Sequence, residues 1–156
     1  MVNIIVVLLL AQGGPAPIGI QLQAQHSAQC LDVSGASAAD GAAVVQWACH
    51  GHSNQLWRAE PVDGHWMLRS LISGKCLEVP AWSMTLGTAV MQWTCNGGAN
   101  QHWRFEAVDD FGTYRLIARH SGQCLEVPAW SQQGGAQAGQ WMCNGGLNQH
   151  WRVIEY

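Results

Sequence analysis

Apolar and polar residues alternate in short segments along the chain. In the first of these segments, Ile20-Gln21-Leu22-Gln23, the period of two is typical of a β-strand with one buried face. Segments 66–71 and 114–118 occupy corresponding places further along, and a small polar turn follows each of the three. The pattern therefore predicts an all-β chain.

Three further strands are predicted after each of these segments, so that three units of four strands give twelve. Residues 61–65 and 108–113 are predicted linkers, and Asp63-Gly64 is the strongest hairpin signal because this dipeptide suits a two-residue turn. The other predicted strands are 31–33, 44–47 and 56–59, then 77–79, 90–93 and 102–107, then 125–127, 138–141 and 150–156.

One sequence motif occurs three times, at 30–58, 76–104 and 124–152. In every copy the second Cys lies nineteen positions after the first, and a Trp lies eight positions after that. A fixed period of this length indicates one supersecondary unit used repeatedly, since a single copy cannot bury its apolar face alone. We interpret residues 18–156 as one domain of three repeats, at about 18–60, 61–107 and 108–156.

The composition narrows the range of partners. Charged residues make up only 11% of the chain, the net charge is −3, and no cluster of Lys and Arg appears. Binding of a polyanion requires a basic surface that neutralises phosphates. Nucleic acid is therefore not expected as a partner, and the sequence indicates no cofactor.

Six cysteines, two in each repeat, favour disulfides. Fifteen pairings are possible, but only Cys30–Cys49, Cys76–Cys95 and Cys124–Cys143 give every repeat the same local structure. Free buried thiols are the alternative, whereas the spacing matches no zinc site. Because disulfides persist outside the reducing cytosol, we expect a secreted protein.

Residues 1–17 precede the repeats and allow two interpretations. The apolar run at 4–10, followed by small residues at 11–13, resembles a secretory signal, although no Lys or Arg precedes it. A retained β-branched run of this kind could instead pair with a sheet edge, either of its own domain or of a neighbouring subunit. The run is too short to span a bilayer as a helix. We favour the signal remnant slightly.

The repeated pattern Cys-Leu-Asp/Glu-Val, Gln-Trp-x-Cys and Asn-Gln-x-Trp resembles the ricin B-chain family of β-trefoil lectins. It is also similar to the family-thirteen carbohydrate-binding modules attached to actinobacterial xylanases. The resemblance covers residues 18–156. It implies a β-trefoil with pseudo-threefold symmetry, in which a six-stranded barrel is capped by three hairpins, and it implies that the protein binds glycans.

By this resemblance, the sugar-binding residues of repeat one are Asp32, Trp47, His50 and Asn54, with the Gly35 backbone nearby. An aromatic ring suits the C–H face of a sugar, and carboxylate and amide groups suit its hydroxyls. Repeats two and three carry the longer Glu in place of Asp, Asn in place of His50, and an additional Pro-Ala-Trp. Their candidate residues are Glu78, Trp82, Trp93 and Asn100, and Glu126, Trp130, Trp141 and Asn148. Galactosides and xylan-type polysaccharides are both candidate ligands.

Several repeated residues have a structural interpretation instead. Tryptophans of the Gln-x-Trp motif are predicted core residues, and the glutamines of that motif are expected to satisfy backbone groups. The motif asparagines share the structural interpretation with the sugar-binding one, and Asp32 could be a turn carboxylate only. His102 and His150 are expected on a solvated strand face. The predicted core tryptophans are Trp57, Trp103 and Trp151, and the glutamines are Gln55, Gln101 and Gln149.

The function class follows from the number of sites. A glycosidase needs two carboxylates in unequal environments across one cleft, whereas this sequence repeats a single acid in three similar units. We therefore predict a non-catalytic lectin or carbohydrate-binding module, with multivalent binding as an extension. The alternative is a receptor-binding or docking component of a larger assembly or toxin, joined to its neighbours through residues 1–17.

Overall fold

The computed structural model describes residues 18–156. The proposed leader and its suggested role as an assembly strand lie outside these residues. These residues form twelve strands and six single-turn 3-10 segments. The strands are β1 Ile20–Ala24, β2 Cys30–Val33, β3 Val44–Trp47, β4 Trp57–Val62, β5 His65–Ser70, β6 Cys76–Glu78, β7 Met91–Trp93, β8 Trp103–Ala107, β9 Thr113–Ala118, β10 Cys124–Glu126, β11 Gly139–Trp141 and β12 Trp151–Glu155.

Six of the strands close into a barrel. Antiparallel pairing runs from β1 to β4, β5, β8, β9 and β12, and β12 pairs with β1 again along its whole length. The other strands form the hairpins β2–β3, β6–β7 and β10–β11, which are bridged to one another around the threefold axis. The predicted β-trefoil with twelve strands is confirmed.

Strand β4 extends further than the sequence predicts. Pro61 and Val62 belong to β4 and lie opposite Trp66 and His65 of β5, so 61–65 is not a linker. Both turn residues, Asp63 and Gly64, have positive φ angles of 48° and 75°. This conformation matches the twist of the flanking strands, and it allows them to pair up to the turn.

Equivalent residues of the three repeats form the hydrophobic core. The indoles of Trp57, Trp103 and Trp151 are fully buried, and each donates its N–H to the carbonyl oxygen of a leucine in β2, β6 or β10 of the same repeat, at 3.0–3.2 Å. These hydrogen bonds satisfy the only polar atom of each indole. Further contacts come from buried leucines and valines of the same repeats, among them Leu22, Leu68 and Leu116, and Leu31, Leu77 and Leu125.

Each repeat contains one disulfide. The bonds join Cys30 to Cys49, Cys76 to Cys95 and Cys124 to Cys143, with Cα–Cα distances of 5.1–5.2 Å. Closing a loop of this length contributes about 3 kcal/mol of stability.

A buried glutamine connects neighbouring repeats. Gln46 donates to the carbonyl oxygens of Ser131 and Gln133 in repeat three, at 2.8 and 2.9 Å, and accepts from the Ser27 hydroxyl. Gln92 and Gln140 make the equivalent bonds to repeats one and two. The loop before each third strand is therefore held against the next repeat around the axis.

Among residues 18–156, no helix is long and apolar enough to cross a membrane.

Candidate functional site

The four candidate residues of repeat one meet in one hollow, which we call site one. Asp32 lies in β2, Trp47 ends β3, His50 follows the second cysteine, and Asn54 lies in the 3-10 turn Ser53–Gln55. These residues line a hollow of about 420 Å³ together with Ser34, Gly35, Ala36, Val45, His52 and Gly135. Antiparallel pairing of β2 with β3 places Asp32 and Trp47 on the same hairpin.

The Asp32 carboxylate lies at the base of site one. Its Oδ2 accepts a hydrogen bond of 2.9 Å from Gln55 Nε2 and lies 3.7 Å from His50 Nε2. Desolvation by burial raises the Asp32 pKa, although Gln55 and His50 partly oppose this shift. The Asn54 side chain adds a smaller opposing effect on the Asp32 pKa. The Gln55 hydrogen bond uses Oδ2 and not Oδ1.

The motif glutamines do more than the sequence predicts. Gln55 donates to the Ala48 carbonyl oxygen and accepts from the His50 backbone N–H, as expected, but it also donates to Asp32. Gln101 and Gln149 orient Glu78 and Glu126 in the same way, at 2.9 and 3.2 Å. The longer Glu side chain therefore keeps the same glutamine partner as Asp32.

Site two is built in the same way from repeat two. Glu78, Trp82, Trp93 and Asn100 line a hollow of about 370 Å³ with Pro80, Ala81, Met91 and Asn96. Desolvation raises the Glu78 pKa, the Gln101 hydrogen bond opposes the shift, and the charge of Asp40 adds to it.

Site three consists of Glu126, Trp130, Trp141 and Asn148 at the equivalent positions of repeat three. Asn148 Nδ2 lies 3.4 Å from Glu126 Oε1. Desolvation raises the Glu126 pKa, and the Gln149 and Asn148 hydrogen bonds partly offset it.

The tryptophans at the ends of the cap strands are accessible. Trp47, Trp93 and Trp141 are 49%, 40% and 38% exposed. Each indole lies against a glycine of another repeat: a Cβ on Gly135, Gly41 or Gly87 would lie 3.6–3.8 Å from Cζ3 of the ring. One side of each indole is thus supported, and the rest is available for contact with a ligand.

The motif asparagines are buried and bonded to the backbone. Asn54, Asn100 and Asn148 donate to the carbonyl oxygens of Val33, Val79 and Val127 at 3.0–3.3 Å, which supports their structural interpretation. The side-chain oxygens of Asn100 and Asn148 have no partner among the described residues. Both oxygens are buried, so the structural interpretation applies to these two residues as well.

The prediction for His102 is wrong. This residue precedes β8 rather than lying on it, and its side chain is buried, with Nδ1 accepting a hydrogen bond of 3.0 Å from Arg119 Nη1. Desolvation and the Arg119 charge lower the His102 pKa.

Sequence reasoning missed His52 and the glycines of the neighbouring repeats. Gly41, Gly87 and Gly135 occupy the same position in all three copies, with φ angles of 85–88°. The recurrence of Gly at that position was the available signal, since this conformation favours glycine. Within residues 18–156, no group of three or more His, Cys, Asp or Glu side chains is placed to hold a metal ion.

Comparison with known protein families identifies the type of domain. The family described as the ricin-type beta-trefoil lectin domain matches residues 19–151. No curated protein sequence matches the chain.

Solved structures resemble the chain closely. The designed threefold-symmetric protein ThreeFoil is 42% identical, with a TM-score of 0.85 over 88% of this chain and 98% of its own. An exo-beta-1,3-galactanase from Clostridium thermocellum is 35% identical, with a TM-score of 0.86; 88% of this chain is covered, but only 30% of the galactanase. The Macrolepiota procera ricin B-like lectin, solved with lactose, is 17% identical, has a TM-score of 0.77 over 92% and 99% of the two chains, and shows the shared fold.

Proposed function

Because the chain belongs to the ricin-type β-trefoil lectin family, we propose that it binds glycans reversibly through three sites and catalyses no reaction. One observation carries the proposal. Each site combines a partly exposed indole with a buried carboxylate whose first oxygen is oriented by a glutamine. The indole suits the C–H face of a pyranose, and the second carboxylate oxygen suits a hydroxyl group.

The absence of catalysis is inferred from the arrangement of the acids. Asp32, Glu78 and Glu126 belong to three separate repeats, and each accepts a hydrogen bond from the motif glutamine of its own repeat. A glycosidase requires two carboxyl groups about 5–10 Å apart across one substrate, with different protonation states. Three equivalent acids, one in each site, suit recognition instead.

Three sites on one domain favour multivalent binding. A single shallow sugar site binds weakly, with a dissociation constant of about 1 mM. Simultaneous contacts with one polysaccharide or one cell surface raise the overall affinity without any new contact. Galactosides and xylan-type polysaccharides are the proposed ligand classes, and we propose that the protein is secreted because of its three disulfides.

The test is calorimetric titration with galactose, lactose, xylose and xylobiose. Trp47→Ala and Asp32→Ala should each remove binding at site one and leave the unfolding curve nearly unchanged. Phe111→Ala is the matched control, since Phe111 is an exposed aromatic residue outside the three hollows. If the Asp32→Ala/Trp47→Ala double variant binds every ligand with wild-type affinity and stoichiometry, the assignment of site one is wrong.

A docking role in a larger protein is the second candidate function. The galactanase supports this candidate, because the region that matches this chain makes up only 30% of that larger protein. Deletion of residues 1–17 distinguishes the two functions: a docking strand predicts loss of assembly with sugar binding intact, whereas a signal remnant predicts no change in either property.

A further inference from the structure

Three positions around the hollows change together between the repeats. Where the loop after the acidic residue carries Trp, the third residue after the second cysteine is Gly, and the next repeat supplies His. The two complete sets are Trp82, Gly98 and His120 at site two, and Trp130, Gly146 and His26 at site three, while site one has Ala36, His52 and Ile72.

The glycine makes room for the indole. A Cβ on Gly98 would lie 3.1 Å from Trp82 Cζ2 and 2.6 Å from Asn100 Oδ1, and the corresponding distances for Gly146 are 3.2 and 2.6 Å. A side chain at this position would force the asparagine oxygen to move, and it would shift the indole by a few tenths of an ångström. Site one has His52 at this position and Ala36 in place of the tryptophan.

The histidine holds the indole from the adjacent repeat. His120 packs edge-on against Trp82 with ring centroids 6.1 Å apart, and its Nε2 lies 2.7 Å from the Ser83 carbonyl oxygen. His26 contacts Trp130 at the same centroid distance, with Nε2 2.8 Å from the Ser131 carbonyl oxygen. Edge-to-face packing at this separation is favourable, and the hydrogen bond fixes each imidazole.

The fold does not require these two tryptophans. Trp82 and Trp130 have left-handed φ angles of 55°, and Ala36 adopts a similar angle of 51° at the same place in repeat one. A non-glycine residue in this conformation costs about 1–2 kcal/mol. The turn therefore forms without an aromatic side chain, and 54% of Trp82 and 49% of Trp130 stay exposed.

The two indoles of a site are anchored on different neighbours. In site two, Trp93 lies against Gly41 of repeat one, whereas Trp82 lies beside Gly98 and contacts His120 of repeat three. Site three repeats this arrangement with Gly87 of repeat two and His26 of repeat one. The pair of aromatic surfaces thus extends from one repeat boundary towards the other, with the carboxylate in the same hollow.

Resting on the proposed function, we propose that sites two and three each bind two consecutive sugar rings, one on each indole, whereas site one binds a single ring. His26 and His120 act as positioning residues for the second indole. Gly98 and Gly146 are specificity determinants because they permit that indole. The chain would then combine one monosaccharide site with two disaccharide sites.

The test compares a monosaccharide with its own disaccharide. Wild type and the Trp82→Ala/Trp130→Ala variant are titrated with galactose and β-1,3-linked galactobiose, and with xylose and xylobiose. In wild type, one of the two disaccharides should bind at two sites about tenfold more tightly than its monosaccharide. In the variant this ratio should fall to about one, with the monosaccharide affinity retained within about twofold. Met84→Ala, an exposed change in the same loop outside the hollow, is the matched control.

A gain-of-function variant provides an independent arm. Ala36→Trp combined with His52→Gly and Ile72→His installs the complete set at site one, and the number of tight disaccharide sites should increase from two to three. An equal loss of affinity for both sugars in the Trp82→Ala/Trp130→Ala variant would mean that both indoles contact one ring. That result, or an unchanged ratio, would overturn the two-ring proposal alone, whereas a wild-type protein that binds no saccharide would overturn the proposed function as well.

Discussion

Every repeat contains two tryptophans ten residues apart with opposite environments. Trp57, Trp103 and Trp151, the core set, are fully buried, whereas Trp47, Trp93 and Trp141, the rim set, are 38–49% exposed. The core indoles donate to backbone carbonyl oxygens, and the rim indoles lie against glycines of another repeat. The same residue type thus stabilises the barrel in one place and presents a partly exposed indole, our proposed sugar-binding surface, in the other.

The largest expected difference between the two sets is in stability. Trp103→Ala should lower the free energy of unfolding by about 3–5 kcal/mol, because it leaves a cavity in the core. Trp93→Ala should lower it by less than about 1 kcal/mol, since the residue is already partly hydrated. Denaturant unfolding of both variants measures the difference, and equal losses would contradict the division into core and rim sets.

Removal of a disulfide should lower the unfolding free energy of the domain and leave its sugar affinity unchanged. Each bond is made by the cysteine that lies between a rim and a core tryptophan, as Cys95 lies between Trp93 and Trp103. Cys76→Ser/Cys95→Ser should cost about 3 kcal/mol of unfolding free energy. Sugar affinity of the folded variant, titrated well below its melting temperature, should stay within about twofold of wild type. A selective loss of site two would show that the disulfide also shapes the hollow.

The pH dependence of binding concerns the acid beside each rim tryptophan. The pKa values of Asp32, Glu78 and Glu126 are raised above 3.8, 4.5 and 4.5 by burial, so these groups take up a proton at a higher pH than exposed acids. Affinity should be constant at neutral pH and fall about tenfold per pH unit below the folded-state pKa values, because the acceptor oxygen is lost.

The contribution of these three acids to folding stability should increase as the pH falls, whereas the sugar affinity decreases. The folded state binds these protons more tightly than the unfolded state, so the three groups favour folding most below their unfolded-state pKa values, and this contribution is lost as the pH rises through the folded-state pKa.

The control for the pH dependence of sugar binding is Asp32→Asn, since its site-one affinity should show no decrease at acidic pH. An acidic fall at site one that persists in Asp32→Asn would contradict the assignment.

The smallest expected effect tests the support of a rim indole. A Cβ on Gly134 would lie 3.1 Å from two Trp47 ring atoms, and Gly134 does not have a positive φ angle. Gly134→Ala should therefore shift the indole by a few tenths of an ångström and weaken site one about two- to fivefold, with sites two and three unaffected. Site-resolved NMR titration measures this change; an unaltered site one would mean that the position of Trp47 is not critical.

The features that the sequence predicts correctly are local to one repeat. The twelve strands, the within-repeat disulfides and the buried set of tryptophans all follow from alternation and spacing within a single copy. The same holds for the Asp63-Gly64 turn, whose geometry depends on two residues.

The features that it does not predict arise where repeats meet. Contact of Trp82 with His120 joins residues 38 positions apart, and contact of Trp47 with Gly134 joins residues 87 positions apart. These contacts depend on how the barrel closes, which alternation within one copy does not encode. The buried position of His102 is not predicted either, because it depends on Arg119, which follows β9 in the next repeat.

The glutamine bonds between repeats have a consequence for fragments of the domain. Gln46 holds a loop of repeat three, and that loop supplies Gly134 and Gly135 beneath Trp47. Excision of repeat three would therefore remove site three, and it would also remove the two glycines against which the indole of site one lies. A lone copy of the motif would thus carry the proposed sugar-binding side chains but lack the glycine surface against which its exposed indole lies.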